Sequence, residues 1–336
     1  MGDMTQAALQ PPRVTSQATA YESISREMED VERILAEAIR SDNRGVAELV
    51  DYVSLYRGKR LRPALLLLVG QACGRLTSAH PVLGAVIELI HTATLVHDDI
   101  LDGALVRRHV ATVNARWGTQ SSVLLGDYLF THAFHLCTTL GDTKLCEIIG
   151  AATNRTCEAE LMQSLQQGNL DLTEREYLDI IDGKTAELIS CSARLGARMS
   201  GVADKVVEQM AEYGRCIGMA FQIADDMLDL VGEEKTTGKS LGTDADQQKL
   251  TLPLIRMLSS AGNGSTAKVR QILSEPGNHK RPALRACLEH GGAMAYTRGM
   301  AQRYARQAQE YLACLPGSNA RDILATVCER VVDRNT

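Results

Sequence analysis

No proline occurs between Pro81 and Pro253, so half of the chain lacks the residue that most reliably breaks a helix. An interior proline removes a backbone donor and costs about 3 kcal/mol in a helix. Its absence alone would also permit strands. Period-two alternation is scarce, however, and aromatic residues are only 4% of the sequence. Apolar residues recur instead at three- and four-residue steps, as in Ile24, Met28, Val31, Leu35 and Ala38, which is the stripe of an amphipathic helix. Pro63 and Pro81 suit first turns, where the missing N–H is not needed. Thr173 and Glu176 form a capping-box pattern before Tyr177, Ile180 and Ile181. Ser318 is placed to cap a last helix running to about Val332. The expected fold is all-α: a flexible arm over 1–20, then one helical domain over 21–336. Loops are expected near Arg40–Gly45, Gly103–Gly118, Gly232–Leu250 and Ser274–Arg281.

The 45% hydrophobic and 23% charged content suffices for a packed core. The net charge of −5, from 36 basic and 41 acidic residues, speaks against broad nucleic-acid affinity. The longest strongly apolar run, Ala64–Val69, is far below the roughly 20 residues of a membrane span. Met1–Ala20 lacks a basic start and an apolar stretch, so neither a signal peptide nor a membrane anchor is expected, and the cytoplasm is the expected compartment. Nine cysteines contain no CxxC pair and read as reduced thiols in the core.

One internal echo carries chemistry. Asp98-Asp99-Ile100-Leu101-Asp102 returns as Asp225-Asp226-Met227-Leu228-Asp229, each closing a mostly apolar helical run. Residues four apart share a helix face, so Asp98 points with Asp102, and Asp225 with Asp229. Asp99 and Asp226 are rotated away by roughly 100°. Carboxylates this close repel unless a cation neutralises them, and the C-terminal end of a helix favours one. All-oxygen ligands suggest Mg²⁺. A single such cluster is as readily a solvated acidic face, but two copies beside apolar helices are not. Mg²⁺ on few carboxylates also binds phosphate, and basic residues lie near both clusters: Lys59, Arg60 and Arg62, then Arg107 and Arg108, then Lys239.

With these motifs the chain resembles the trans-isoprenyl diphosphate synthases of the polyprenyl synthetase family, over roughly Tyr21 to Arg334. The strings that carry the resemblance are GKRLRP (58–63), HTATLVHDDILD (91–102), RR (107–108), GKTAELI (183–189), FQIADDMLD (221–229), GKSLGTD (238–244) and KLTLP (249–253). The resemblance implies a bundle of long helices around a deep central cavity, in a homodimer. It implies Mg²⁺-dependent, head-to-tail joining of an allylic prenyl diphosphate to isopentenyl diphosphate, with release of pyrophosphate. By the same resemblance Asp98, Asp102 and Asp225, with Asp229 in support, would hold about two or three Mg²⁺ ions. Arg107, Lys184, Thr185, Gln222 and Lys239 would contact the allylic substrate, and Lys59, Arg62, His91 and Arg108 the isopentenyl diphosphate. Asp99 and Asp226 join Asp98, Asp102, Asp225, Arg107, Lys184 and Lys239 in the expected catalytic set. Two strings depart from the family pattern. His109-Val110-Ala111 lacks the usual glycine and proline after the arginine pair, and Gln247-Gln248 replaces Glu-Gly.

Product length is expected from Ala93 and Thr94, which lie about one turn before Asp98. Both are small where short-chain members carry bulky aromatics, and the wording of the motifs is similar to octaprenyl-, solanesyl- and decaprenyl-type enzymes. A product of about eight isoprene units, for a quinone side chain, is expected by that analogy alone. Leu124, Leu125, Tyr128 and Phe134 are candidates for a deeper floor. The alternatives are a geranylgeranyl-type synthase with Phe130 or Phe134 as an early floor, and a non-catalytic partner subunit. Retention of all six aspartates speaks against the latter. A terpene cyclase would not need Lys59, Arg62 and His91 for a second diphosphate.

Overall fold

A computed structural model describes residues 22–56, 58–232, 242–260, 263–275, 277, 280–288 and 292–333. The arm at 1–20 and Lys239 lie outside the described residues. In chain order the helices are α1 (Ser25–Ala38), α2 (Arg44–Val53), α3 (Leu61–Ala72), α4 (Ala79–Leu101), α5 (Val113–Thr138), α6 (Thr143–Leu165), α7 (Glu174–Ile181), α8 (Glu187–Met199) and α9 (Asp204–Val231). They continue as α10 (Thr243–Asp246), α11 (Leu252–Ser260), α12 (Asn263–Ser274), α13 (Arg281–Leu288), α14 (Ala293–Tyr311) and α15 (Asn319–Arg330). The all-α expectation holds. Among the described residues the only strands are β1 (Val106–Arg107) and β2 (Val110–Ala111), a short antiparallel hairpin.

The longest helices are α4, of 23 residues with Pro81 in its first turn, and α5, α6 and α9, of 26, 23 and 28 residues within the proline-free half. At 1.5 Å per residue α9 spans about 42 Å. Helix α4 packs against α1, α3, α5 and α8, and α9 packs against α8 and α14. Among the described residues α4 alone is long and apolar enough to pass for a membrane span, contrary to the sequence estimate. It is instead a core helix, with Leu83, Val86, Ile87 and Ile90 almost entirely buried. The core has two adjoining parts, one under α1–α6 and one under α7 and α11–α14, and α9 contributes to both.

Local signals behave as read. Thr173 accepts from the Glu176 N–H, and the Glu176 side chain accepts from Thr173, closing the capping box. Ser318 accepts from the Arg321 N–H and starts α15, which ends at Arg330 rather than Val332. Ile24, Met28, Val31 and Leu35 form the buried stripe of α1. The loop expected over Gly103–Gly118 is shorter than predicted. Thr112 caps α5 by accepting from the Ala115 N–H at 3.1 Å, and Gly118, at φ 81°, kinks the helix instead of preceding it.

Candidate active site

Four elements deliver the sequence candidates. The C-terminal turn of α4 carries Asp98 and Asp102, and the hairpin after it carries Arg107 and Arg108. A π-helical turn, Asp182–Ala186, carries Lys184 and Thr185. The last turns of α9 carry Gln222, Asp225, Asp226 and Asp229. The π turn exists where α6 comes very close. A Cβ on Gly183 would stand 2.6 Å from Ala159 Cβ and 3.0 Å from the Arg155 carbonyl oxygen. Arg215 braces the turn from α9, donating to Asp182 at 2.6–2.7 Å and to Glu187 at 3.0 Å. The extra residue per turn directs Lys184 toward α6, where its Nζ donates to Glu160 at 2.9 Å and Gln163 at 2.7 Å.

The two aspartate pairs divide their labour in the same way. The first and fifth residues of each cluster are partly exposed, while the second is buried. Asp99 accepts from Arg107 Nε at 2.7 Å. Asp226 accepts from the Tyr177 hydroxyl at 2.6 Å and from Gln222 Nε2 at 2.7 Å. Thr185 donates to Gln222 Oε1 at 2.7 Å, so it does not bond back to its own helix. Asp99 and Asp226 thus face the protein. In this arrangement they brace Arg107, Tyr177 and Gln222. Asp229 is also engaged: it accepts from the Gly242 N–H at 3.0 Å, the Asp244 N–H at 3.3 Å and the Thr243 hydroxyl at 3.3 Å. It holds the start of α10.

The charges press on one another. Burial pushes the Asp98 carboxyl up to about 6, against the pull of Lys184 and with added repulsion from Glu160 and Asp102. Burial, with repulsion from Asp229, pushes Asp244 up to about 7. Burial would lower Lys184, but Asp98 and Glu160 outweigh it and hold the ammonium above its ordinary value. Asp102 accepts from Lys249 Nζ at 2.6 Å, while Gln247 Nε2 donates to the Asp102 carbonyl at 3.2 Å. Among the described residues no three His, Cys, Asp or Glu side chains stand close enough to hold an ion by themselves. The donor set still fits Mg²⁺, which is commonly bound through one or two carboxylates and substrate phosphates. A carboxyl raised to about 6 by burial and like charge is one that a divalent cation would relieve.

A second, cationic group lies farther up α4. Arg62 Nε is buried and has no hydrogen-bond partner among the described residues. Burial and the nearby Arg108 lower its affinity for its proton, and Glu88 opposes them. Burial, then Arg62 and Arg108, hold His91 well below its usual pKa, as a neutral imidazole. The Arg108 guanidinium donates to the Tyr56 carbonyl and occupies the space a Cβ on Gly58 would need. Arg108 and His109, at φ 50° and 66°, form the two-residue turn of the hairpin. Left-handed backbone at non-glycine residues costs about 1–2 kcal/mol each, which is the consequence of the missing glycine. Lys59 is exposed beside this group. Ala93 is fully buried in the core, whereas Thr94 is partly exposed, its hydroxyl bonded to the His91 carbonyl at 2.8 Å. Of the deeper floor candidates, Leu125 is buried but Leu124 is 60% exposed and faces outward. His97 turns from the aspartates toward the Val123 carbonyl at 3.2 Å.

Two helices each present carboxylates, and a separate guanidinium, that of Arg62, has its buried Nε without a partner among the described residues. The polyprenyl synthetase family model matches residues 43–290. The chain belongs to the polyprenyl synthetase family. It is 34% identical over 320 residues to octaprenyl diphosphate synthase of Escherichia coli, covering 94% of this chain and 98% of that one. The crystal structure of a decaprenyl diphosphate synthase from Rhodobacter capsulatus superposes with a TM-score of 0.90 at 33% identity, covering 96% of this chain and 100% of that one. A polyprenyl synthase from Caulobacter crescentus, complexed with calcium and isoprenyl diphosphate, gives 0.90 at 32% identity and covers 97% and 100%. The protein is therefore a prenyltransferase.

Several residues of this polyprenyl synthetase site had no role in the sequence reading. Glu160 and Gln163 stand one turn apart on α6, a polar pair whose meaning depends on Lys184 reaching them. Tyr177 looked like an apolar-stripe residue, and only its contact with Asp226 separates it from its neighbours. Asp244 and Lys249 lay inside quoted motifs, but their approach to Asp229 and Asp102 depends on how α10 folds back.

Proposed function

We propose that the enzyme condenses an allylic prenyl diphosphate with isopentenyl diphosphate, head to tail, and repeats the step to a long all-trans product. The observation that supports this most is the buried Arg62 Nε, without a partner among the described residues, beside neutral His91 and Arg108 and a short way along α4 from Asp98 and Asp102. One helix then serves two diphosphates, with the cationic group holding isopentenyl diphosphate and the acidic group holding the allylic partner. Lys59 joins the cationic group from the rim. Asp98, Asp102 and Asp225 would hold Mg²⁺, and Asp229 supports them through α10. Bound there, Mg²⁺ would neutralise diphosphate oxygens and the negative charge that grows on them.

Lys184 and Arg107 are poised to exchange their carboxylate partners for diphosphate oxygens. As the allylic C–O bond breaks, negative charge grows on the leaving diphosphate, and their fixed positive charges stabilise that growth. Thr185 and Gln222, bonded to one another across their facing elements, would contact the allylic substrate beside Lys184. Lys239 belongs to the same set by resemblance. The isopentenyl double bond then attacks the allylic carbon to form the new C–C bond, and the adjacent carbon loses its proton to the departing pyrophosphate. Neutral His91 adds no charge that would destabilise the cation between the two sites.

The wall residue left open is Thr94, which supports a long product, and the quinone side chain is the use we propose for it. A shorter product remains the competing reading, because Phe130 lies with its ring 6.1 Å from His97 next to this wall. A homodimer fits Val123 and Leu124, exposed at 41% and 60% on α5. We propose a cytoplasmic enzyme. The purified protein should be incubated with farnesyl diphosphate, isopentenyl diphosphate and Mg²⁺, and the dephosphorylated prenols sized. A ladder ending at one long prenol supports the reading. A stop at the twenty-carbon product overturns the long-chain part. No elongation from any allylic primer overturns the reaction.

A further inference from the structure

Lys59, Arg60 and Arg62 stand within four residues, yet Arg60 does not join the other two. It occupies the N-cap of α3 in the left-handed region, at φ 46°. Its Nε donates to Glu32 Oε1 at 2.7 Å and its Nη2 to Glu32 Oε2 at 3.3 Å. Its Nη1 donates to Glu88 Oε1 at 2.8 Å. Glu32 lies on α1 and Glu88 on α4, so one guanidinium ties the loop before α3 to two helices. Glu88 is 4% exposed. Its charge is felt by Arg60, Arg62 and Arg108 alike. It stands one turn before His91 on α4, at the back of the cationic group.

A buried carboxylate in that place is a competitor. Arg62 lacks a partner at Nε, and a free carboxylate within reach would pair with it in a charge-assisted bond. The diphosphate would then have to displace a buried ion pair. We propose that Arg60 is a positioning residue that binds Glu88 and so keeps it from quenching Arg62, leaving that guanidinium open for isopentenyl diphosphate. Glu32 contributes by holding two edges of Arg60 and so aiming the third at Glu88. The inference rests on the proposed function, since it assigns the cationic group to the isopentenyl substrate.

The test is the kinetic split between the two substrates. In Arg60→Gln the neutral amide can still bond Glu32 or Glu88 but no longer balances the charge of Glu88. KM for isopentenyl diphosphate should rise about tenfold, the loss of roughly one charged contact, while KM for the allylic substrate stays within about twofold. Arg60→Lys, which keeps the charge but not the fork that Glu32 aims, should fall between wild type and Arg60→Gln. The double variant Arg60→Gln with Glu88→Gln removes the competitor and should recover most of the loss. A purely structural role for Arg60 predicts no such recovery. Equal effects on both substrates, or a double variant no better than the single one, would overturn the proposal. Should Arg60→Gln not fold, Glu88→Gln alone decides: it should not raise KM for isopentenyl diphosphate, and a tenfold rise would refute the inference. Wild type in the same assay reports separately whether the reaction occurs. Calorimetric titration with isopentenyl diphosphate alone reads the clamp even if it does not.

Discussion

The Asp98 carboxyl, raised to about 6 by burial and by the charges of Glu160 and Asp102, makes Mg²⁺ binding depend on pH in a way an ordinary aspartate would not. Binding requires the ionised form, so the cation must displace a proton wherever Asp98 is protonated. For a group of pKa about 6, the apparent affinity at pH 5 is reduced by about tenfold from its value at pH 8, or roughly 1.4 kcal/mol. A carboxyl with an ordinary pKa near 4 would lose only about a tenth over the same range. The sign for stability runs the other way in the metal-free protein. The folded pKa exceeds the unfolded one, so the folded state binds more protons between about pH 4 and pH 6. Stability is therefore greatest below about pH 4 as far as this group is concerned, and about 3 kcal/mol is lost as pH rises through 6. Mg²⁺ at pH 8 should restore part of it. The assay is calorimetric titration of Mg²⁺ with pyrophosphate present, at pH 5 and pH 8, in two buffers of different ionisation enthalpy. The expected result is a roughly tenfold weaker affinity at pH 5, with measurable proton release. Affinities equal within twofold and no proton release would refute the assignment of Asp98 as a ligand.

Two further outcomes follow from the geometry. A Cβ on Gly196 would lie 2.3 Å from the Leu66 carbonyl oxygen, where α3 and α8 touch through backbone. Gly196→Ala should therefore cost about 3 kcal/mol and lower Tm by about 5–10 °C in a thermal melt, whereas Gly299→Ala, with open space around it, should be neutral or slightly stabilising. Thr94→Phe should shorten the product without a comparable loss of Tm, while Ala93→Phe, at a fully buried position, should mainly destabilise the fold; product chromatography and thermal melts separate the two.

How much of this was legible in the sequence depended on the range of the interaction. Caps and stripes such as Thr173–Glu176 and Ile24–Leu35 are set by residues within one or two turns, and they appeared where expected. The paired aspartates were visible for the same reason, since helical spacing alone decides which of them point together. That spacing also rotated Asp99 and Asp226 away, but their partners, Arg107 and Tyr177, come from other elements, so their supporting part was not visible. The π turn at Gly183 arises from contact with Ala159, which no local pattern announces. Arg60 shows the same limit. Its motif gives three adjacent cations, and only the positions of Glu32 and Glu88 separate the one used for bracing.

In the proposed reaction the two aspartate clusters serve elongation of a prenyl diphosphate. The most direct measurement is transfer of radiolabelled isopentenyl diphosphate into farnesyl diphosphate-primed product by wild type, Asp98→Asn and Asp225→Asn, at saturating Mg²⁺. The account predicts elongation by wild type and losses on the order of a hundredfold or more in kcat for each variant, with folding unchanged by circular dichroism. Elongation by either variant at near wild-type rate, or none by wild type, would contradict it.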